Sequence, residues 1–128
     1  MNKFKIASFR ADNINLISKE VNVDNFEFGF DFDVGFSEDE SHTFIVKFKV
    51  RVSSSEESYE LSVGYTSFFE TEEAITDDFK DSSFIKINAA AIAYPFLRSF
   101  ISTLTLNAGY EPILIPTINF QELAHEKK

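Results

Sequence analysis

The sequence has no cysteine and no tryptophan, and only four glycines and three prolines in 128 residues. Without cysteine there is no disulfide framework and no thiolate metal site, and redox chemistry says nothing about compartment. The four glycines are scattered, so no glycine-rich loop is available to cradle a phosphate. Positive charge is scarce. Twelve Lys and Arg against 21 Asp and Glu give a net charge of −9, which makes a poor partner for nucleic acid. The two histidines, His42 and His125, have no second His or Cys at ligand spacing, so neither a metal nor a cofactor is expected. No long apolar run follows Asn2-Lys3-Phe4-Lys5, so no secretory signal is read and a cytoplasmic location is expected. Linkers, repeats and low-complexity tracts are absent, and residues 1–128 read as one domain.

What is present in excess is phenylalanine. Sixteen Phe supply apolar rings with no polar handle, and they need dry surface to bury. Many of them alternate. Phe26, Phe28, Phe30, Phe32, Val34 and Phe36 form one face of a strand, with Glu27, Gly29, Asp31, Asp33 and Gly35 on the other. Phe44, Val46, Phe48, Val50 and Val52 repeat the pattern with Lys47, Lys49 and Arg51 opposite. The polar segment 37–42 between them reads as a hairpin loop. Antiparallel pairing then sets the Asp face against the Lys face, and such cross-strand pairs give roughly 0.2–1 kcal/mol each. After a loop over Ser53–Ser58, Tyr59, Leu61, Val63 and Tyr65 alternate with Glu60, Ser62, Gly64 and Thr66. Near the N-terminus Phe4 and Ile6 are in phase with Ile14 and Leu16. The interruption from Ala7 to Asn13 predicts a bulge or bend in one long strand. The sum is a four-stranded antiparallel sheet with one apolar face.

The period changes after Ser83. Ala89, Ile92, Ala93, Phe96, Leu97, Phe100, Ile101 and Leu104 recur at helical spacing, with Gly109 placed to take a left-handed cap. Pro95 is expected near the helix start or at a kink. Arg98 is the only charged residue between Asn88 and Asn107, and the face away from the stripe carries Ala91, Ser99, Ser102, Thr103 and Thr105. A surface helix normally has a charged outer face. This one predicts subunit packing through Ala91, Arg98, Ser99, Ser102, Thr103 and Thr105; Pro95, Arg98 and the hydroxyls argue against a membrane span. The segment Tyr110–Phe120 is apolar and broken by Pro112 and Pro116, so it reads as extended, and residues 121–128 as a short amphipathic helix.

No catalytic constellation emerges. Ser53–Ser55 lack a His/Asp partner, and the carboxylate clusters at 38–40, 70–73 and 77–78 read as solubilising loops. Enzyme activity is not expected. What remains is apolar surface in segments read as loops: Phe68, Phe69, Phe79 and Phe84, and then Tyr110–Phe120. Such surface completes a core or lines a groove for extended apolar polypeptide. A small apolar-ligand carrier or an inert oligomeric scaffold are the rival readings.

Ile92-Ala93-Tyr94-Pro95-Phe96-Leu97-Arg98, Gly109-Tyr110 and Pro112-Ile113-Leu114-Ile115-Pro116-Thr117-Ile118-Asn119-Phe120 with Leu123 resemble the SecB family of protein-export chaperones. Tyr65 with Phe68-Phe69 is similar to that family's turn out of the fourth strand. The resemblance implies an α+β subunit: a four-stranded antiparallel sheet, one long helix packed on it and a short C-terminal helix. It also implies a homotetramer, a dimer of dimers with the long helices in the middle. The implied activity is that of an ATP-independent holdase for unfolded polypeptides, without nucleic acid and without membrane insertion. Its implied polypeptide-binding residues are Phe68, Phe69, Tyr110, Ile113, Ile115, Phe120 and Leu123. The family docks the SecA translocase through acidic strand positions. Here they fall near Asn13, Ile17, Glu60 and Ser62, and Glu60 alone is acidic, so weak SecA docking is expected. Ala108, Glu111 and Thr117 replace a family glycine and loop prolines. SecB-like chaperones of toxin–antitoxin systems, which bind an antitoxin, share the fold and are the alternative.

Overall fold

The computed structural model describes residues 2–18, 26–54 and 58–126. Four strands, β1 (Phe4–Ser18), β2 (Glu27–Phe36), β3 (Thr43–Ser54) and β4 (Tyr59–Thr71), precede three helices, α1 (Asp77–Asp81), α2 (Ser83–Asn107) and α3 (Phe120–Glu126). The strands form one antiparallel sheet in the order β1-β4-β3-β2. This is the α+β architecture expected from the sequence.

The expected β2–β3 hairpin forms with the expected charge register. Phe32 lies opposite Phe48, Asp31 opposite Lys49 and Asp33 opposite Lys47. β1 pairs with β4 along its length, with register shifts between Ile6 and Ser8 and between Ala11 and Asn13. One added residue flips every later side chain to the other face, and a second flips them back. The two bulges together therefore explain why Phe4 and Ile6 share a phase with Ile14 and Leu16.

β4 corrects one expectation. The turn read at Phe68-Phe69 does not exist, because the strand runs on to Thr71, paired with β1 on one side and β3 on the other. Ladders on both sides override the lost alternation, since Thr66-Ser67 and Phe68-Phe69 each put like residues on opposite faces. β3 likewise extends through Ser54, into the segment expected as loop; residues 55–57 of that loop lie outside the described residues.

Phe79 and Phe84 are helical, not loop. Thr76 caps α1 by accepting from the Phe79 N–H at 3.2 Å, and Ser82 caps α2 by accepting from Ile85 at 3.2 Å. Pro95 lies in the middle of α2 rather than near its start. Proline removes the bond to the carbonyl four residues earlier. That residue is Ala91, on the exposed side of α2, where water can take the orphaned carbonyl. By length and composition α2 could cross a membrane, but its Ala89, Ala93, Leu97 and Ile101 face is fully buried in the core that joins it to the sheet.

Two aromatic clusters fill the core, and a third group, Phe9, Tyr65, Phe96 and Phe100, lies between β1, β4 and α2. Phe4, Phe44, Phe69 and Phe79 pack at one end, with Phe44 stacked on Phe69 at 4.9 Å. Phe30, Phe48, Tyr94 and Phe120 pack at the other, with centroids 5.4–6.2 Å apart.

Candidate polypeptide-binding surface

The segment between α2 and α3 is positioned from its first residue. α2 ends in a Schellman turn. Gly109, at φ 100°, donates to the Leu106 carbonyl at 3.1 Å, and Tyr110 donates to Thr105 at 3.0 Å. This is the left-handed glycine cap expected from the sequence. The chain then turns back along α2 as an extended strap over residues 111–119.

Three side chains on one face of α2 hold the strap by its backbone. Thr105 Oγ1 accepts from the Ile113 N–H at 3.0 Å. Arg98 Nε donates to the Ile115 carbonyl at 3.0 Å, and the Tyr94 hydroxyl donates to the Pro116 carbonyl. At the far end Asn119 caps α3 by accepting from the Glu122 N–H at 3.1 Å. Burial pushes the Tyr94 phenol up to about 12, against the opposing pull of the Arg98 charge, so it stays a neutral donor.

This ladder fixes which strap side chains are available. Ile115 is fully buried, while Leu114 is 71% exposed, the most open of the large apolar side chains among the described residues. Tyr110, Ile113 and Leu123 are half-buried, with the Tyr110 ring 4.6 Å from Tyr59.

The expected polypeptide-binding residues are therefore divided. Ile115, Phe120 and Phe69 belong to the core: Phe69 is stacked on Phe44, and Phe120 packs on Phe30, Phe32 and Phe48. Phe68 is half-buried on the outer face of the sheet, opposite the strap, with the Arg10 guanidinium 5.2 Å above its ring. The structure does not bring Phe68 together with Tyr110, Ile113 and Leu123 within this chain. Leu114 was missed because Ile113, Leu114 and Ile115 look alike in sequence; the proline-flanked alternation was the available signal.

The expected interface residues on α2 divide as well. Ala91, Ser99 and Thr103 are exposed and Ser102 half-buried. Thr105 is fully buried, because its hydroxyl bridges the Ile101 carbonyl and the Ile113 amide. Arg98 is turned to the strap. The exposed face also carries Ile92, Phe96 and Leu106, which the sequence reading had assigned to the core stripe or omitted. Phe96 continues onto the sheet edge through Phe9, their rings 4.8 Å apart. Glu60 is half-buried on β4, across from Ile17 of β1 and Ser53 of β3. On the outer face of the sheet the Asp12 carboxylate is held below the usual carboxylate range, first by the Thr66 hydroxyl and then by Arg10. No three His, Asp or Glu side chains converge as a metal site among the described residues.

Residues 5–128 match the family model described as preprotein translocase subunit SecB. An uncharacterised protein of Methanocaldococcus jannaschii is 33% identical over 93 residues, 70% of this chain and 59% of that protein. The protein-export protein SecB of Rickettsia akari is 37% identical over 43 residues, 34% of this chain and 28% of that protein. The chain thus spans less than two thirds of either relative. In three dimensions it is similar to a SecB-like chaperone of Mycobacterium tuberculosis solved with a ChAD peptide from the HigA1 antitoxin. The TM-score is 0.69 at 12% identity, over 91% of this chain and 88% of the other. A protein of unknown function from Streptococcus agalactiae aligns with a TM-score of 0.56 at 6% identity, over 91% of this chain and 99% of that one. A family match that runs through both the sheet and the strap makes this chain a member of the SecB family.

Proposed function

We propose that this protein is an ATP-independent holdase that binds unfolded polypeptides and keeps them from aggregating, in the cytoplasm and without a cofactor. The observation that carries the reading is the strap. An extended apolar segment is fixed through its own backbone so that Leu114 stands in solvent with Ile113 half-open beside it. Apolar burial yields about 25 cal/mol per Å² and asks for no particular sequence, which suits a promiscuous binder. The half-open Tyr110 and Leu123 extend this surface, and Phe68 of a neighbouring subunit would add to it.

The outer face of α2 supports a homotetramer, a dimer of dimers with the long helices in the middle. Ile92, Phe96 and Leu106 are exposed there among Ala91, Ser99 and Thr103, with no charge between them. Contiguous apolar surface of this kind marks a protein contact.

The test is suppression of aggregation of a chemically unfolded client, without nucleotide. The parent protein holds the client and Leu114→Ser holds it less. A parent protein that leaves aggregation unchanged would sink the reading and return attention to a ligand carrier or scaffold.

Delivery has two routes. Export through SecA is the family's route, and Glu60 as the lone acidic residue among the four docking positions supports only weak SecA affinity. The antitoxin route is favoured by the likeness to the chaperone solved with an antitoxin peptide. Titration of the chain with SecA, and with an antitoxin-derived peptide of the kind bound by the structural neighbour, separates the two.

A further inference from the structure

On a solvated sheet face the informative residues are large apolar ones that stand together. The outer face of this sheet has such a place at the end that carries the β2–β3 hairpin. Ile45 of β3 stands directly across from Phe68 of β4 and from Gly35 of β2, and both large side chains are half-buried. With Ser37, Glu40 and Thr43 they line an apolar pocket of about 440 Å³, room enough for a bulky side chain from outside. Gly35 has a reason to be glycine here. A Cβ would come within 3.1 Å of Ile45 Cγ1, so the missing side chain lets Ile45 lie over β2.

The hairpin beside this pocket is held in place. The Glu40 N–H donates to the Ser37 carbonyl at 3.2 Å, and its carboxylate accepts from the Thr43 hydroxyl at 3.1 Å. The His42 and Ser41 carbonyls accept from the Thr71 and Ile75 N–H groups at 2.9 and 2.7 Å, which ties the loop to β4 and the segment after it. Charge beside the pocket is of one sign once register partners are set against each other. Lys47 stands across from Asp33 and Lys5 across from Glu70, while Arg10, over the Phe68 ring, is paired with Asp12. Glu38, Asp39 and Glu40 are exposed on the hairpin, and residues 37–41 include no Lys or Arg to set against them. Three carboxylates are thus left in excess at the pocket.

We infer that this pocket docks a basic segment of a partner protein, with one bulky apolar side chain seated between Ile45 and Phe68 and Lys or Arg residues on Glu38, Asp39 and Glu40. The apolar anchor supplies affinity, and the carboxylates orient the segment and speed its encounter. The net charge of −9 acts in the same direction at long range, drawing in a basic segment and repelling an acidic one. The β4 positions read from the sequence as SecA docking do not overlap the pocket. Glu60 and Ser62 lie eight and six residues before Phe68 on that strand, about 20–27 Å away. The strap is on the opposite face of the sheet, so this partner is not held where the client is.

The test uses the full chain and a fluorescein-labelled peptide of Lys and Ser around a single central Phe, read by anisotropy. The parent protein binds it, more weakly as salt rises, and binds the same peptide with Ala for Phe at least about tenfold more weakly. Glu38→Lys with Asp39→Lys also raises Kd by at least about tenfold. Gly35→Val, which pushes Ile45 into the pocket without changing charge, weakens binding as well, whereas Leu114→Ser leaves it unchanged. Both pocket variants keep the parent's circular dichroism, its mass and its ability to hold an unfolded client, which separates failure here from failure of the holdase reading. Equal binding by the charge-reversed variant, equal binding of the Ala peptide, or loss of binding in Leu114→Ser would each overturn the assignment. So would a change of mass in the pocket variants, which would make the pocket a contact between copies, or a loss of client holding, which would make it part of the client surface.

Discussion

Arg98 reaches from the middle of α2 to the Ile115 carbonyl, its Nε donating over 3.0 Å, and so joins the helix to the strap seventeen residues later. With Tyr94 and Thr105 it makes the strap a fixed part of the subunit. All three contacts are to main-chain atoms, so the strap side chains are positioned without being consumed in the bonding.

Removing that contact has a predictable cost. A hydrogen bond from a charged donor contributes about 1.5–3 kcal/mol. Arg98→Ala is expected to lower stability by that amount and to speed exchange of the Ile113 amide, which Thr105 protects one rung away. Arg98→Lys is not expected to restore protection, because an ammonium lacks the planar Nε–H that meets the carbonyl. Hydrogen exchange of the strap amides measures both effects, and unchanged Ile113 exchange in Arg98→Ala would show that the rungs act independently.

Phe69 and Leu114 are expected to exchange the roles that sequence alone suggests. Phe69→Ala removes a ring stacked on Phe44 in a fully buried site and should cost about 3–5 kcal/mol. Ile115→Ala, also fully buried, should cost about 2–5 kcal/mol. Leu114→Ser lies in solvent and should change stability by less than about 0.5 kcal/mol while reducing client holding. Urea melts beside an aggregation assay decide this; a stable Phe69→Ala protein would return Phe69 to the binding surface.

That exchange shows where the sequence was legible. Period-two alternation in β2 and β3 carried strand, register and charge pairing together, because each side chain position has one face to choose. The helix stripe and the Gly109 cap were equally readable. β4 beyond Tyr65 was not, since its identity depends on ladders to β1 and β3 rather than on its own pattern. α1 was invisible at five residues with one buried apolar side chain, too short to show a period. In the strap, hydrophobicity could name Ile113, Leu114 and Ile115, but only the rungs from α2 decide which of them faces solvent. The contact of Arg98 with the strap was hidden for the same reason: its partner is a main-chain carbonyl, which leaves no trace in side-chain pattern.

Stability is expected to fall at high pH through Tyr94. Its phenol sits near 12 in the folded protein and near 10 when exposed. A group raised on folding contributes stability that is fully present below the unfolded value and lost as pH rises toward the folded one. The loss should therefore run from about pH 10 to about pH 12. Tyr65 is shifted in the same direction by burial and adds to it. Tyr94→Phe should flatten part of this slope and, by deleting the bond to Pro116, cost about 0.5–1.5 kcal/mol at neutral pH. Denaturant melts across the alkaline range measure the slope, and a Tyr94→Phe protein with the parent's slope would contradict the assignment.

The outer face of α2 offers the sharpest test of assembly because neighbouring positions give opposite outcomes. Thr103 is exposed among Ile92, Phe96 and Leu106, whereas Thr105, two residues on, is buried beneath the strap. A charge at Thr103 leaves the core untouched but places an unpaired carboxylate in the proposed contact between copies, where a buried ion costs several kcal/mol. Thr103→Glu is expected to dissociate the oligomer into smaller, still folded species; Ser102→Glu, half-buried, should do the same with some loss of stability. Thr105→Val keeps the volume but leaves the Ile113 amide without its acceptor, so it should loosen the strap and leave the mass unchanged. Light scattering with circular dichroism on the three variants separates the faces. A Thr103→Glu protein that keeps the parent's mass would mean that the uncharged face of α2 is not where copies meet, and the ridge through Phe9 and Phe96 would have to be covered by something else.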